Sequence, residues 1–190
     1  LILQAERDAL LKPLQAVTGI VERRHTLPIL SNVLLENVHG QTNILATDLE
    51  IQINTAGPVS DAGDFRITTN AKKLQDILRA LPEGSLVALD WAQNRLTLKA
   101  GKSRFNLQTL PAEDFPLMSV GEEVGQAFSL PQEALKNMLS QVQYSMAVQD
   151  IRYYLNGMLM QTEGDQLRLV ATDGHRLAYS STTIDADLPK

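Results

Sequence analysis

ILATDLEIQI at 44–53 and LVATDGHRLA at 169–178 are the stretches on which the reading of this chain turns. Each places Ala-Thr-Asp after an apolar pair, and the two lie 125 residues apart. The same offset, without gaps, pairs 9–53 with 134–178 and gives ten identities in 45 positions. Ala9 falls on Ala134, Leu14 on Leu139, Val17 on Val142, Leu30 on Leu155 and Leu34 on Leu159. Where residues differ, apolar character persists: Val33 meets Met158, Ile44 meets Leu169 and Leu45 meets Val170. Self-similarity at a long fixed period marks a repeated structural unit. The first copy occupies about 1–125, and the second begins near 126 and would run to about 250. The 190 residues therefore read as one domain at 1–120, a linker at 121–126 and the first half of a second domain at 127–190, from a longer protein.

Composition sets the outer bounds. Hydrophobic residues make up 44% and charged residues 21% of the chain, the profile of a soluble globular protein. The sequence shows no apolar run long enough to span a membrane and no signal peptide at LILQAERD. Cysteine is absent, which excludes disulfide staples and Cys-based zinc sites and fits a cytosolic setting. The net charge of −5 argues against a protein that coats DNA with a uniformly basic surface. It leaves room for a local basic stripe, because phosphate contact depends on where the cations stand.

Each copy reads as strand, helix and several antiparallel strands, an α+β architecture. The opening LILQAE predicts a strand, and RDALLKPLQAVTGIV at 7–21 has a helical apolar period, with Pro13 predicting a late start or a kink. SNVLLENV at 31–38 and TNILATDLEIQINT at 42–55 read as strands around a polar turn. FRITT is a further strand, and Asn70 caps the helix AKKLQDILRAL. SLVALDW, RLTLKA and SRFNLQTL form a meander with turns at Gln93-Asn94 and Gly101. In the second copy QAFSL reads as a strand and PQEALKNMLSQVQYSM as a helix, followed by strands at YLNGMLMQT, QLRLVAT and RLAYSST. On such a strand one of Tyr153 and Tyr154 points to the core and the other to solvent. The proline- and acid-rich PAEDFPLMSVGEEVG at 111–125 reads as the connection.

Six segments carry a specific resemblance. LLKPLQAV, TLPILSNVLL, TDLE, SRFNLQTLPAEDFP, QDIRYYLNGML and VATDGHRLA occur in this order across nearly the whole chain. Together they resemble the beta subunit of bacterial DNA polymerase III, the sliding-clamp family. The resemblance implies a ring of two chains, each with three similar domains, that encircles duplex DNA as a processivity factor in the bacterial cytoplasm, at the nucleoid. It implies a non-catalytic protein without cofactor or metal. Topological capture needs only loose, sequence-independent phosphate attraction, which reconciles the acidic balance with DNA binding.

The resemblance also assigns residues. Arg24 and Gln149, equivalent in the repeat, and Lys72 match positions that contact double-stranded and primed DNA. Tyr153 and Tyr154 match an aromatic pair that stacks on single-stranded template, worth about 1–3 kcal/mol per base. Leu155, Thr172, Gly174, His175, Arg176 and Leu177 match one wall of an apolar pocket. That pocket captures short linear peptides of the polymerase alpha subunit, the clamp loader and repair polymerases. The rest of it would come from sequence after residue 190, so this stretch alone predicts a half-built pocket with weak or absent peptide capture. Lys73, Ile77, Phe105 and Leu107 match the head-to-tail homodimer interface. Asn70 stands where the family usually has proline, and either suits the start of a helix.

Other readings of the residues remain. Apart from the resemblance, Arg24 in ERRH reads as part of a solvated loop, Phe105 and Leu107 as core, and Asp173-Gly174 as a plain hairpin turn. His175, Asp173 and Ser180 contain the groups of a catalytic triad, but no nucleophile elbow accompanies them. Asp48, Glu50, Asp173 and His175 suggest metal ligation. The recurrence of Thr-Asp in both copies instead favours a scaffold role, with Thr and Asp bonding to nearby backbone. A protein-interaction scaffold that does not act on DNA is the alternative function.

Overall fold

The computed structural model describes residues 2–21, 27–61, 63–118 and 127–188. It forms two compact units, Leu1–Val120 and Gly121–Lys190. Arg24 and the linker expected at 121–126 lie outside the described residues.

In the first unit a strand, β1 (Leu3–Glu6), runs straight into a helix, α1 (Arg7–Thr18). Leu10, Leu11, Leu14 and Val17 are buried, the spacing of a helical stripe that faces a core. Pro13 does not delay the start of the helix. Proline forfeits its bond to the carbonyl four residues back, yet α1 is continuous from Arg7, and the burial of its stripe accounts for that. The helix stops at Thr18 rather than Val21, with the Thr18 hydroxyl donating to the Gln15 carbonyl at 3.3 Å.

After a 3-10 turn at Pro28–Ser31 come β2 (Asn32–Val38), β3 (Gln41–Thr47), β4 (Gln52–Val59) and β5 (Phe65–Asn70). The stretch 42–55, which reads as strand, is broken between Asp48 and Ile51, and β4 returns antiparallel to β3. Helix α2 (Ala71–Ala80) is capped as expected: the Asn70 side chain accepts the Lys73 N–H at 2.9 Å. The meander β6 (Leu86–Ala92), β7 (Arg95–Ala100) and β8 (Ser103–Leu110) completes an antiparallel sheet in the order β1-β6-β7-β8-β5-β2-β3-β4. Strand β8 joins its halves, pairing with β7 along Ser103–Gln108 and with β5 only at Thr109 and Leu110. The Ser60 hydroxyl donates to the Ile2 carbonyl at 2.8 Å, which ties the two ends of the sheet together.

Strand β2 is buried on both faces. Successive strand side chains point to opposite sides, so Val33 and Leu35 join α1 and α2 in the main core while Leu34 joins Ile29, Leu30, Leu45 and Phe115 in a second cluster. The 3-10 turns Pro28–Ser31 and Ala112–Asp114 supply Ile29, Leu30 and Ala112 to that cluster.

The second unit repeats the first in register. Helix α3 (Gln132–Val142) starts 125 residues after α1, and the 3-10 turn Tyr153–Asn156 stands 125 residues after Pro28–Ser31. The helix expected over 131–146 ends earlier, passing into a 3-10 turn at Gln143–Ser145. Strands β9 (Leu159–Thr172) and β10 (Leu177–Leu188) pair antiparallel, and α3 packs on them through Met138 and Val142 against Leu167, Leu169, Ala171, Ala178 and Ile184. Strand β9 bends near Gly164. Gly164 has φ +59°, and the side chains of Glu163 and Arg168 on either side of it meet at 2.6 Å. The bend falls where His39 turns the chain in the first copy.

Two expectations fail here. Ala127–Leu130 is not a strand. Its counterpart β1 pairs with β6, and the repeat offset carries the equivalent of β6 past Lys190. Tyr153 and Tyr154 are not strand residues with one side chain inside: both lie on the 3-10 turn and are 82% and 68% exposed. The first copy puts Pro28 and the buried Ile29 at those places.

Candidate functional site

The repeated Thr-Asp is a turn builder in both units. Thr47 donates its hydroxyl to the Ile51 carbonyl at 2.9 Å and accepts the Leu49 N–H at 3.1 Å. Asp48 accepts the N–H groups of Glu50 and Ile51 at 2.9 and 2.7 Å. In the second unit Thr172 donates to the Arg176 carbonyl at 2.7 Å and accepts from Gly174 at 3.1 Å, while Asp173 accepts from His175 and Arg176, both at 2.9 Å. The side chains take over backbone groups that a tight turn leaves unpaired.

This geometry removes the catalytic reading of Asp173. Its Oδ1 is engaged by two backbone N–H groups and its Oδ2 by the Arg176 side chain at 3.0 Å. Those contacts, the Arg176 N–H first, lower its pKa below the ordinary carboxylate value. Among the described residues no group of three or more His, Asp or Glu side chains is arranged to hold a metal ion.

The copies differ in what the turn presents. Leu49 has φ +79°, whereas its counterpart Gly174, at φ +89°, is the residue type that adopts this conformation without strain. His175, Arg176 and Leu177 are exposed, Leu177 by 64%, and the Arg176 guanidinium stacks 5.6 Å from the ring centre of Tyr144. A cation over a tyrosine face is favourable, so Arg176 is held to one side of the turn.

A second exposed segment adjoins this turn. Asn156 brackets Asp150, accepting its N–H at 2.9 Å and donating to its carbonyl at 3.0 Å. Asp150 in turn accepts a fork from Arg152 at 3.0 and 2.8 Å. The Arg152 side chain, then its N–H, lowers the Asp150 pKa to about 2. Arg152 also donates to the Asp173 carbonyl at 3.4 Å, which brings the segment to the Thr172–Leu177 turn. The segment carries Gln149, exposed and at φ +55°, together with Tyr153 and Tyr154, whose rings meet edge to face at 5.9 Å. Leu155 is half-buried, fixed by its N–H to the Arg152 carbonyl and its own carbonyl to Ala147 N–H, both at 2.9 Å. Sequence reasoning missed Ile151, the most exposed large apolar side chain among the described residues at 95%, and Val148 beside it. The repeat offset contained the signal, since Tyr153 aligns with the start of the Pro28 turn rather than with a strand.

In the first unit Lys72 and Lys73 are exposed on the opening turn of α2, beside a cleft of about 440 Å³ between α1 and α2. Lys72 approaches Asp76 at 3.6 Å. Ile77 and Phe105 are half-buried against the main core. Leu107 is 5% exposed and part of that core, so its side chain offers no surface to a partner, contrary to the interface expectation. Packing of its side chain into the main core of the first unit explains the difference. The backbone edge of β8 over Ser103–Leu107 nevertheless has no partner among the described residues on the side away from β7.

Comparison with known proteins identifies relatives of both units. Residues 1–119 match the family described as DNA polymerase III beta subunit, N-terminal domain, and residues 129–190 match its central domain. The chain is 48% identical to the beta sliding clamp of Pseudomonas aeruginosa and 46% to that of Escherichia coli, in each case over 97% of this chain and 50% of the relative. It superposes on the P. aeruginosa DNA polymerase III subunit beta with a TM-score of 0.91 at 46% identity, covering all of this chain and 51% of that one. The Caulobacter crescentus sliding clamp gives 0.90 at 37% identity, over 98% of this chain and 54% of that one. A P. aeruginosa clamp solved bound to griselimycin gives 0.89 at 46% identity, over 97% of this chain and 50% of that one. The chain thus spans about half the length of the relatives it matches. With both of its units matched in order, the chain belongs to the DNA polymerase III beta subunit family.

Proposed function

We propose that the full-length protein is a sliding clamp: a non-catalytic processivity factor that encircles DNA as a head-to-tail dimer and tethers the replicative polymerase. The observation that carries this reading is the divergence of one repeated turn and one repeated 3-10 segment within a conserved frame. The first copy buries Ile29 and Leu30 where the second exposes Tyr154 and leaves Leu155 half-buried, and Pro28 gives way to the exposed Tyr153. The first has Leu-Glu-Ile where the second has Gly-His-Arg. A frame kept with its surface rewritten points to recognition rather than folding.

In this reading Arg24, Lys72 and Gln149 attract primed and double-stranded DNA, and Tyr153 and Tyr154 stack on template bases, each worth about 1–3 kcal/mol. Leu155, Thr172, Gly174, His175, Arg176 and Leu177 form one wall of a pocket for short peptides of the polymerase alpha subunit, the clamp loader and repair polymerases. Phe105, Ile77, Lys73 and the open edge of β8 serve ring closure. Edge pairing supplies main-chain hydrogen bonds and removes an otherwise open template. The protein acts in the bacterial cytoplasm, on the nucleoid. Griselimycin, bound by the P. aeruginosa relative, is expected to bind the full-length protein as well.

The test is topological. Loaded clamp should stay on primed circular DNA through gel filtration and leave once the circle is cut. Equal retention on linear DNA would refute encirclement. Double substitution of Arg24 and Gln149 should reduce loading while the fold is kept; unchanged loading would favour the scaffold reading.

A further inference from the structure

Two surfaces with different proposed tasks meet at one side chain. Arg152 lies between Ile151 and Tyr153, and its guanidinium covers Gly174: a Cβ built on that glycine would stand 3.3 Å from Arg152 Nη1. The same guanidinium is forked onto Asp150 and donates to the Asp173 carbonyl. Asp150 is itself held by Asn156 on both sides of its backbone. A continuous chain of contacts therefore runs from Asn156 through Asp150 and Arg152 to the Asp173-Gly174 peptide.

The first copy shows that the turn does not need this arginine. The offset places Leu27 opposite Arg152 and Leu49 opposite Gly174. The Thr47-Asp48 turn nevertheless forms with the same four hydrogen bonds. Folding of the turn is thus no reason for Arg152. A half-exposed ion pair contributes little to stability, which removes the other structural reason. What remains is the connection itself, seen among the described residues only in the second copy, whose 3-10 segment exposes Tyr154 where the first buries Ile29.

We propose that Arg152 is a positioning residue that couples the tyrosine-bearing segment to the Asp173–Arg176 turn, so that nucleic acid on Tyr153 and Tyr154 orders the turn that carries Leu177. The inference rests on the clamp reading and deepens it. Ordering one partner of a mechanical pair lowers the cost of ordering the other.

The experiment follows backbone amide exchange in the full-length protein, with and without a primed duplex carrying a single-stranded template overhang. In the unsubstituted protein the duplex should slow exchange at Gly174, His175 and Arg176 by about fivefold, the lower end of typical coupling. In Arg152→Met the slowing should vanish while the duplex still perturbs tyrosine fluorescence. Arg152→Lys, which keeps the charge and loses the fork, should behave like Arg152→Met. An unchanged thermal transition confirms that the variants fold. Slowing that persists in Arg152→Met, or no slowing in the unsubstituted protein with tyrosine fluorescence perturbed, overturns the coupling. Absence of any tyrosine response removes the DNA reading, and the coupling with it.

Discussion

Thr47 and Ile51 are joined by a 2.9 Å hydrogen bond from hydroxyl to carbonyl, and 125 residues later Thr172 and Arg176 are joined in the same way at 2.7 Å. The two threonines differ in burial: Thr47 is 1% exposed, whereas Thr172 is half-buried. Valine in place of either removes one donor and one acceptor without changing shape much. Leaving buried backbone groups unpaired costs about 1–3 kcal/mol, and water recovers much of that at an accessible site. Thr47→Val should therefore lower unfolding stability by about 1–3 kcal/mol, and Thr172→Val by about 1 kcal/mol or less. Urea denaturation of each variant checks the order; equal losses would contradict it.

Gly174 and Leu49 occupy equivalent left-handed positions, and exchange of residue type should not be symmetric. Gly174→Ala forces a Cβ into φ +89° and within 3.3 Å of Arg152 Nη1. The backbone conformation alone costs about 1–2 kcal/mol for an L-residue. Leu49→Gly relieves a similar strain but gains about 0.5–1 kcal/mol of unfolded-state entropy cost. The expected outcome is a clear loss for Gly174→Ala and a change near zero for Leu49→Gly, read by thermal or urea unfolding.

How much of this was legible in sequence depended on whether the signal was local. The 125-residue offset was visible in the order of residues, and it anticipated the register of α1 with α3. The caps and turns followed from side-chain chemistry: Asn70 accepts at the start of α2, and Thr-Asp binds its own backbone. Periodicity misread the Tyr153–Asn156 turn as strand because short apolar runs carry no helical or strand period. It misread Ala127–Leu130 because a strand exists only with a partner, and the offset places the equivalent of β6 outside these 190 residues. Burial of Leu107 beside half-buried Phe105 was fixed by the packing of β8 on the core, which no pattern of three residues encodes.

The Asp150–Arg152 fork gives a pH signature. The Asp150 pKa is lowered to about 2 by Arg152, so its carboxylate is the form that the folded segment favours. A depressed pKa means that the contribution is fully present above the unfolded value of about 3.9 and is lost as pH falls through the folded value. The amides of Arg152 and Asn156 should thus keep their chemical shifts from neutral pH down to about 3.9 and move only as pH approaches 2. A midpoint near 4 in an NMR titration would show that the fork does not hold in solution.

Lys72 sits 3.6 Å from Asp76, one turn along α2, with both side chains about half exposed. Such a pair adds at most a few tenths of a kcal/mol to the helix, so its worth lies in the charge it sets at this end of α2. If phosphate is attracted there, Lys72→Ala should weaken DNA binding uniformly across sequences. It should also reduce the slope of log affinity against log salt by about 0.9, the release of one counterion. Asp76→Asn removes the competing carboxylate and should strengthen binding at low salt without changing that slope by a full unit. Thermal unfolding should move little in either variant, which separates the electrostatic effect from a structural one. Affinity measured over a range of salt concentrations with the full-length protein decides the matter: an unchanged slope in Lys72→Ala means that this lysine meets no phosphate.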